Sequence, residues 1–246
     1  FMDEWYCFEY RANTEDAYNT TPTRSYQDYV LYQCNKLLDA GLNGLYYDNI
    51  RDWHNVNSVT GDAYRLPSGK LQPYFDIFDM RTLIKRTAVM LYKKGYTFFD
   101  GRPVLYLHMT NTNLIPFTSL GGINLECEAN YGNADFQDRF SEDYMEISAC
   151  GLQSGSIPEV LVQITGSNKD FVTRTFVATI LAFDINSVMT AGGVEKDYYR
   201  TVYNLRNFGY GSEKVKVYPS YAPSGDIKAD VPVRITEYRR NDGQRM

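Results

Sequence analysis

The chain has 246 residues, of which 43% are apolar and 22% charged, so it is long enough for one large or two small globular domains. Its net charge of −5 comes without a basic run to neutralise phosphates, and no stretch approaches eighteen consecutive apolar residues, so neither a nucleic-acid partner nor a membrane span is expected. Four scattered cysteines without a C-x-x-C pair and two histidines argue against a zinc cluster, and we predict no metal and no other cofactor.

The first part of the chain alternates predicted strands and helices. A strand over residues 5–10 is followed by a polar loop over 11–24, which is rich in Asn and Thr. A helix with polar residues at its start covers 25–41 and closes with glycine. The apolar and aromatic run 42–48 is predicted to be a buried strand, and it ends in an aspartate. Helix, short turn, buried strand and then an acid is the order found in barrel enzymes, whose chemistry lies where the strands end.

The middle of the chain repeats this alternation after a long irregular stretch. Residues 50–74 show no regular period, and a loop of this length in a compact domain is usually functional. A helix is predicted over 75–94 and strands over the apolar runs 103–109 and 122–128. The first of these strands ends near a histidine, and the second ends with two glutamates.

The next part adds helices and one more clear strand. A helix is predicted over 141–150, a strand over 158–165, and another helix from about residue 169. The apolar run 178–184 fits a helix or a strand equally well. A last helix over 196–208 is closed by glycine.

A change of period marks the end of the chain. Over 215–218 and 231–235 apolar residues alternate with polar ones, which predicts antiparallel strands of a separate β unit. The predicted domains are therefore 1–210 and 211–246.

The fold class follows from the alternation of strands and helices, which implies a parallel sheet buried on both faces. About six such strands precede the β unit, whereas a complete (β/α)8 barrel has eight strands and about 250 residues. We therefore predict the C-terminal portion of a TIM-type barrel without its first strands, followed by the start of a β-sandwich. An open α/β sheet with fewer strands is the alternative. No glycine-rich phosphate loop follows a strand, which disfavours a nucleotide-binding doubly wound fold.

Carboxylates at the ends of two predicted strands form the main chemical pattern. Asp48 ends one strand, and Glu126 and Glu128 share one face at the end of another, because side chains alternate along a strand. Glycoside hydrolysis needs one carboxylate at the anomeric carbon and one acid for the leaving oxygen. The ordinary structural alternative is that Asp48 caps a loop and the glutamates pair with arginines.

Seven further residues are predicted to bind substrate. A histidine on the strand between the two acidic strands fits a bond to a sugar hydroxyl, aromatic rings fit stacking against a sugar face, and an arginine fits a substrate carboxylate or sulfate. Each also has a structural explanation as a satisfied histidine, a buried ring or a solvated helix charge. The seven are Glu126, His108, Tyr46, Tyr47, Asn49, Trp53 and Arg174.

Five short motifs between residues 20 and 210 are Ser25-Tyr26-Gln27-Asp28-Tyr29, Gly44-Leu45-Tyr46-Tyr47-Asp48, Arg81 with Arg86, Leu107-His108-Met109-Thr110 and Glu126-Cys127-Glu128-Ala129. Together they resemble barrel glycoside hydrolases related to family 123, in a group of large, mostly bacterial proteins. In that group an N-terminal β domain precedes the barrel and a β-sandwich follows it. The resemblance implies a secreted, periplasmic or cell-surface protein whose N-terminal part is missing here and would be a partner of this chain.

One residue departs from the pattern of this family. Hexosaminidases of family 123 have an adjacent Asp–Glu pair that assists a substrate acetamido group, whereas Asn49 follows Asp48 here. The arrangement looks closer to retaining α-glycosidase barrels, with an aspartate nucleophile on the fourth strand and an acid/base on the sixth. That likeness implies Asp48 as nucleophile and Glu128 as acid/base, with Glu126 as a deeper binding residue.

The predicted function is therefore a retaining glycoside hydrolase acting on a complex glycan. One alternative is a carbohydrate-binding protein without activity, built on a degenerate barrel. The other is a metal-dependent hydrolase that uses the three acids and His108 as ligands, although such enzymes usually offer more histidines.

Overall fold

The computed structural model describes residues 2–12, 15–50, 54–60, 63–109, 113–128, 136–138, 140–162, 168–189 and 196–246. Contacts between Cα atoms divide the chain into two compact units. The first consists of Phe1–Asn124 with Ser154–Ser156, and the second of Leu125–Gln153 with Ile157–Met246. Each unit has its own hydrophobic core.

In its described residues the first unit contains one 3-10 helix, three α-helices and most of the short strands. It starts with a 3-10 helix, Asp3–Trp5, and an antiparallel hairpin of β1 (Tyr6–Ala12) and β2 (Glu15–Thr20). Helix α1 (Arg24–Asp39) and strand β3 (Leu45–Tyr47) follow. Four two-residue strands come next, namely β4 (His54–Asn55), β5 (Tyr64–Arg65), β6 (Leu71–Gln72) and β7 (Tyr74–Phe75). The unit continues with α2 (Ile77–Lys94), β8 (Leu105–His108), α3 (Ile115–Thr118) and the start of β9 (Ile123–Glu128).

Local signals in the sequence account for the ends of the two long helices. The Thr23 side chain accepts a hydrogen bond from the backbone N of Tyr26, 3.4 Å away, and so caps the start of α1. Gly95 ends α2 with a φ of +77°, a left-handed conformation that favours glycine. Both helices contribute to one core with β8, where Leu105 and Leu107 are at most 1% exposed.

Two sequence predictions for the first unit need correction. The loop predicted over 11–24 is wrong for Glu15–Thr20, which form β2 and pair with β1. The strand conformation of this segment depends on main-chain pairing with β1. The polar composition of the segment does not reveal that partner. The irregular stretch predicted over 50–74 contains short antiparallel pairs, β4 with β7 and β5 with β6.

The second unit packs around a long apolar helix. It contains the end of β9, a 3-10 helix over Phe136–Asp138, and the elements α4 (Glu142–Ser148), β10 (Ile157–Val162), α5 (Lys169–Phe183), β11 (Asn186–Met189), α6 (Lys196–Phe208), β12 (Val215–Tyr218) and β13 (Glu237–Arg240). Phe176 and Phe183 of α5 are at most 1% exposed and lie in one core with Val160 and Val162 of β10. None of the helices in the described ranges is long and apolar enough to cross a membrane.

The main sheet has five strands in the order β11-β10-β9-β8-β3. Strand β3 pairs in parallel with β8, with Leu45 opposite Leu105, and β10 pairs in parallel with β11, with Glu159 opposite Asn186. The fold is therefore mixed α/β, with a five-stranded parallel sheet flanked by helices. This arrangement is compatible with part of an α/β barrel. The prediction identified the strands β3, β8, β9 and β10 but missed β11.

The C-terminal segment differs from the prediction. The run 178–184 belongs to α5 up to Phe183. The strand predicted over 231–235 is wrong, because β12 pairs with Glu237–Arg240. Pro232 has no N–H to donate in the predicted strand, and Val233 is 57% exposed. Residues on both sides of 210/211 belong to the second unit, and the proposed domain boundary there stays a prediction.

Candidate functional site

Three polar side chains of the first unit meet at the carboxyl ends of two adjacent parallel strands. Asp48 directly follows β3, His108 is the last residue of β8, and Tyr46 lies in β3 opposite Tyr106. Parallel neighbours end at the same edge of a sheet, so residues that end them lie close together. We call Asp48, His108 and Tyr46 the Asp48 cluster.

The contacts in the Asp48 cluster converge on one carboxylate oxygen. Oδ1 of Asp48 lies 2.7 Å from Nδ1 of His108. The Tyr46 hydroxyl donates to the same oxygen at 3.1 Å and lies 2.5 Å from Nδ1 of His108. Because a carboxylate without a proton only accepts hydrogen bonds, the bond to Asp48 assigns the histidine proton to Nδ1. The carboxylate thereby fixes both the tautomer and the orientation of the ring.

Asn49 holds the carboxylate from the other side. Its backbone N donates to Oδ1 of Asp48 at 3.0 Å, and its Nδ2 donates to Oδ2 at 3.2 Å. Asn49 has a φ of +54°, a left-handed conformation that Asn tolerates better than most residues. The backbone N of Ile50 then donates to the carbonyl oxygen of His108 at 2.8 Å. The chain therefore turns across the end of β8, and this turn positions Asp48.

The Asp48 cluster is buried on one side and open on the other. His108 is 7% exposed, whereas the Asp48 side chain is 57% exposed and Tyr46 is 52% exposed. The ring of Tyr46 lies 5.3 Å from that of Tyr106. An accessible carboxylate is thus held by a buried imidazole next to a pair of aromatic rings, which suits a polar ligand with an apolar face.

Tyr47 faces away from the Asp48 cluster. Its hydroxyl bonds to the Thr87 hydroxyl of α2 at 2.7 Å and lies 3.9 Å from the sulfur of Cys34. Burial raises the pKa of Tyr47. The alternation along β3 accounts for this placement, because Tyr46 and Tyr47 point to opposite faces.

The other predicted site residues are not brought into the Asp48 cluster by the described contacts. Arg174 is exposed on α5, and its Nε donates at 3.3 Å to the carbonyl oxygen of Asp170 in the same helix. Trp53 lies outside the described residues. Glu126 and Glu128 lie on β9 in the second unit, where Glu128 is half-buried and only the strand position of Glu126 is described. The pairing of Asp48 with Glu128 stays a prediction.

The prediction missed two polar groups inside the structure. Asp76, which is 6% exposed, accepts from Nδ2 of Asn55 with both oxygens, at 3.0 and 2.9 Å. This bond ties β4 to the start of α2. The second group is Glu159, whose signal in the sequence is an acid within the apolar run of β10.

The acids and thiols of the described residues do not gather into a metal site. The described residues contain no group of three or more His, Cys, Asp or Glu side chains that could hold a metal ion. Cys7 and Cys150 are buried free thiols, and burial, more than neighbouring charges, raises the pKa of each to about 12.

Fold and site together define a mixed α/β protein whose parallel strands β3 and β8 present a carboxylate, an imidazole and a phenol at their carboxyl ends. No family model, no curated protein and no solved structure matches the chain.

Proposed function

We propose that this chain is part of a glycoside hydrolase that acts on a complex glycan with Asp48 as its nucleophile. The observation that supports this proposal is an accessible carboxylate, held by His108 and Tyr46 at the carboxyl ends of adjacent parallel strands. In barrel enzymes the catalytic groups lie at this edge. The proposal includes the remaining strands of a (β/α)8 barrel, contributed by the rest of the protein.

The contacts of Asp48 distinguish its two oxygens. Oδ1 is contacted by the Tyr46 hydroxyl, Nδ1 of His108 and the Asn49 backbone N, whereas the described contact of Oδ2 is with Nδ2 of Asn49. The less engaged oxygen is the better placed to form a new bond. We therefore assign the attack on the anomeric carbon to Oδ2, with Oδ1 held as the fixed end of the carboxylate.

Retaining hydrolysis needs a second carboxyl group that protonates the leaving oxygen and then activates water. The likeness to retaining α-glycosidase barrels implies Glu128 for this role and Glu126 as a binding residue, and both roles belong to the proposal. The exposed ring of Tyr46 beside Tyr106 supplies an apolar surface for one face of a sugar.

The test is a glycan-panel hydrolysis screen with the full-length protein, followed by variants. Asp48→Asn removes the charge with little change in shape, and we expect it to lower kcat by about a thousandfold or more. The matched control is Asp39→Asn, since Asp39 is an exposed acid of α1 that pairs with Lys94, and it should leave the rate unchanged.

A chemical rescue separates a nucleophile from a binding residue. Asp48→Gly with an activated aryl glycoside and sodium azide should give a glycosyl azide of the opposite anomeric configuration, because azide replaces the missing carboxylate. Full activity of a folded Asp48→Asn protein, checked by circular dichroism, would contradict the proposal.

A carbohydrate-binding protein without activity is the second candidate function. The observation in its favour is the pair of neighbouring rings, Tyr46 and Tyr106, since stacking on a sugar requires no catalysis. Glycan binding by the full-length protein that is lost in Tyr46→Ala, with no hydrolysis of any bound glycan, would support it over the hydrolase.

A further inference from the structure

The second unit contains a cleft of about 380 Å³ between the end of α5, strand β11 and helix α6. We call it the Glu159 cleft. Its ionisable lining residues are two carboxyl groups, four tyrosines and one arginine, namely Glu159, Asp184, Tyr198, Tyr199, Tyr210, Tyr238 and Arg206. None of them is among the residues predicted to act on a glycan, and the cleft lies within the second unit.

One carboxylate oxygen of Glu159 lacks a hydrogen-bond partner among the described residues. This oxygen, Oε2, is buried. Burial raises the pKa of this carboxyl group to about 7. An acid left unpaired in an apolar strand costs folding free energy, and structures usually satisfy such a group with a bond or a ligand.

Asp184 provides the second carboxyl group of the cleft. It ends α5, and its Oδ1 accepts a hydrogen bond from the Tyr210 hydroxyl at 2.9 Å. Burial raises the pKa of Asp184, and the bond from Tyr210 opposes that shift. Asp184 is therefore satisfied by the protein, in contrast to Glu159.

The tyrosines line the cleft mainly with their rings, because the hydroxyl groups of two of them are hydrogen-bonded within the protein. Tyr198 donates to the carbonyl oxygen of Ser187 at 2.7 Å, and Tyr210 donates to Asp184. The rings of Tyr198 and Tyr199 meet edge to face at 5.3 Å, and those of Tyr210 and Tyr238 at 5.6 Å. Electron-rich rings beside a carboxylate are the surroundings in which proteins hold organic cations.

We propose that the Glu159 cleft binds a small organic cation whose primary ammonium group pairs with Glu159 and whose apolar part packs against the tyrosines. Among the described residues, no group of three or more His, Cys, Asp or Glu side chains gathers here to hold a metal ion. The cationic group of the lining, Arg206, is exposed on α6 and forms no ion pair with the residues that are described. It does not bond to the buried Oε2 of Glu159.

Binding of an ammonium group must be linked to a proton. An adjacent positive charge favours the ionised carboxylate, so Glu159 releases its proton when the cation binds. The other ionisable groups of the lining are Asp184, Arg206 and the four tyrosines. Burial raises the pKa of Tyr198, Tyr210 and Tyr238, so these phenols stay protonated at neutral pH. Because burial raises the pKa of Glu159 to about 7, a fraction of a proton should be released per cation bound at pH 7.

The test compares 2-phenylethylamine, which carries the ammonium group, with 2-phenylethanol, which has the same shape without the charge. Isothermal titration calorimetry of the full chain at pH 7, in phosphate and in MOPS buffer, measures affinity and proton release together. We expect a Kd of about 1 mM for the amine, as is usual for a ligand of this size, and at least tenfold weaker binding of the alcohol.

Variants assign the effect to the cleft. Glu159→Gln should weaken the amine at least tenfold and abolish the difference between the two buffers, whereas Glu213→Gln, an exposed acid outside the cleft, should change neither. In the unaltered protein, amide chemical shifts on adding the amine should move at β11 and α6. Equal binding of amine and alcohol, an unchanged affinity in Glu159→Gln, or shifts away from the cleft would each overturn the proposal.

Discussion

Glu159 links the stability of the protein to pH through one half-buried carboxyl group. The unfolded chain loses this proton near the ordinary value of 4.5, whereas the folded protein keeps it up to about 7. Stability that is present below pH 4.5 is therefore lost as pH rises through 7. A shift of this size corresponds to about 3 kcal/mol of unfolding free energy.

The substitution Glu159→Gln tests this linkage without an added ligand. Because the amide does not ionise, the free energy of unfolding of the variant should fall less than that of the unaltered protein between pH 4.5 and 8. Urea denaturation at pH 4.5, 6 and 8 measures the difference, with Glu213→Gln as the control for an exposed acid. Parallel pH profiles of the Glu159→Gln and unaltered proteins would show that Glu159 titrates normally in the folded state.

At the scale of the element, the N-terminus of α1 depends on one side chain. Thr23 accepts from the backbone N of Tyr26, a donor that has no partner within the helix. Thr23→Ala should lower the unfolding free energy by about 1 kcal/mol. Thr23→Ser keeps the accepting oxygen and should retain most of the stability. Thermal denaturation of the three proteins measures the difference. Equal destabilisation by Ala and Ser would mean that the methyl group of Thr23 contributes more to stability than its capping hydrogen bond.

Elements with local signals were predictable from the sequence, and those that depend on a distant partner were not. Helix α6 has the predicted bounds, because an amphipathic run followed by glycine marks both of its ends. Strand β11 was missed, since its four residues show no alternating pattern and it exists by pairing with β10. Strand β13 was placed too early, because its register is set by β12.

The same distinction applies to the two sites. Asp48 and His108 lie at predicted strand ends, and the predicted parallel sheet was enough to expect them near each other. Asn49 donates hydrogen bonds to both carboxylate oxygens of Asp48 from a left-handed backbone conformation. The sequence alone does not specify that conformation. The Glu159 cleft depends on where α6 lies beside β11, and no local pattern contains that information.

At the scale of the whole molecule, a buried acid, Glu237, shifts its pKa in the opposite direction to Glu159. Glu237 is 2% exposed and is bonded by Nε of Arg239 at 2.7 Å, by the Ser224 hydroxyl at 2.6 Å and by Nε of Arg245 at 3.3 Å. The bonds from Arg239, and then the one from Ser224, lower the pKa of Glu237 to about 2. The ionised Glu237 therefore adds to the free energy of unfolding. This stabilisation is fully present above pH 4.5 and is lost as pH falls towards 2.

The two acids together predict an acidic optimum of stability. Stability should rise with pH up to about 4.5 as Glu237 ionises in the unfolded chain, and it should fall between about 4.5 and 7 because of Glu159. The raised pKa of Asp184 acts in the same direction as that of Glu159. Most proteins are instead most stable between about pH 5 and 8.

Thermal denaturation from pH 2.5 to 8 should therefore show a maximum Tm between about pH 4 and 5. In Glu159→Gln the decline towards neutral pH should become shallower, because one of the two acids with a raised pKa is removed. In Glu237→Gln the rise of Tm between pH 2.5 and 4.5 should become shallower instead. The amide still accepts hydrogen bonds from Arg239 and Arg245, but it has no charge to titrate. A Tm that is constant from pH 4.5 to 7 in the unaltered protein would contradict this account, since it would require Glu159 to be solvated in the folded state.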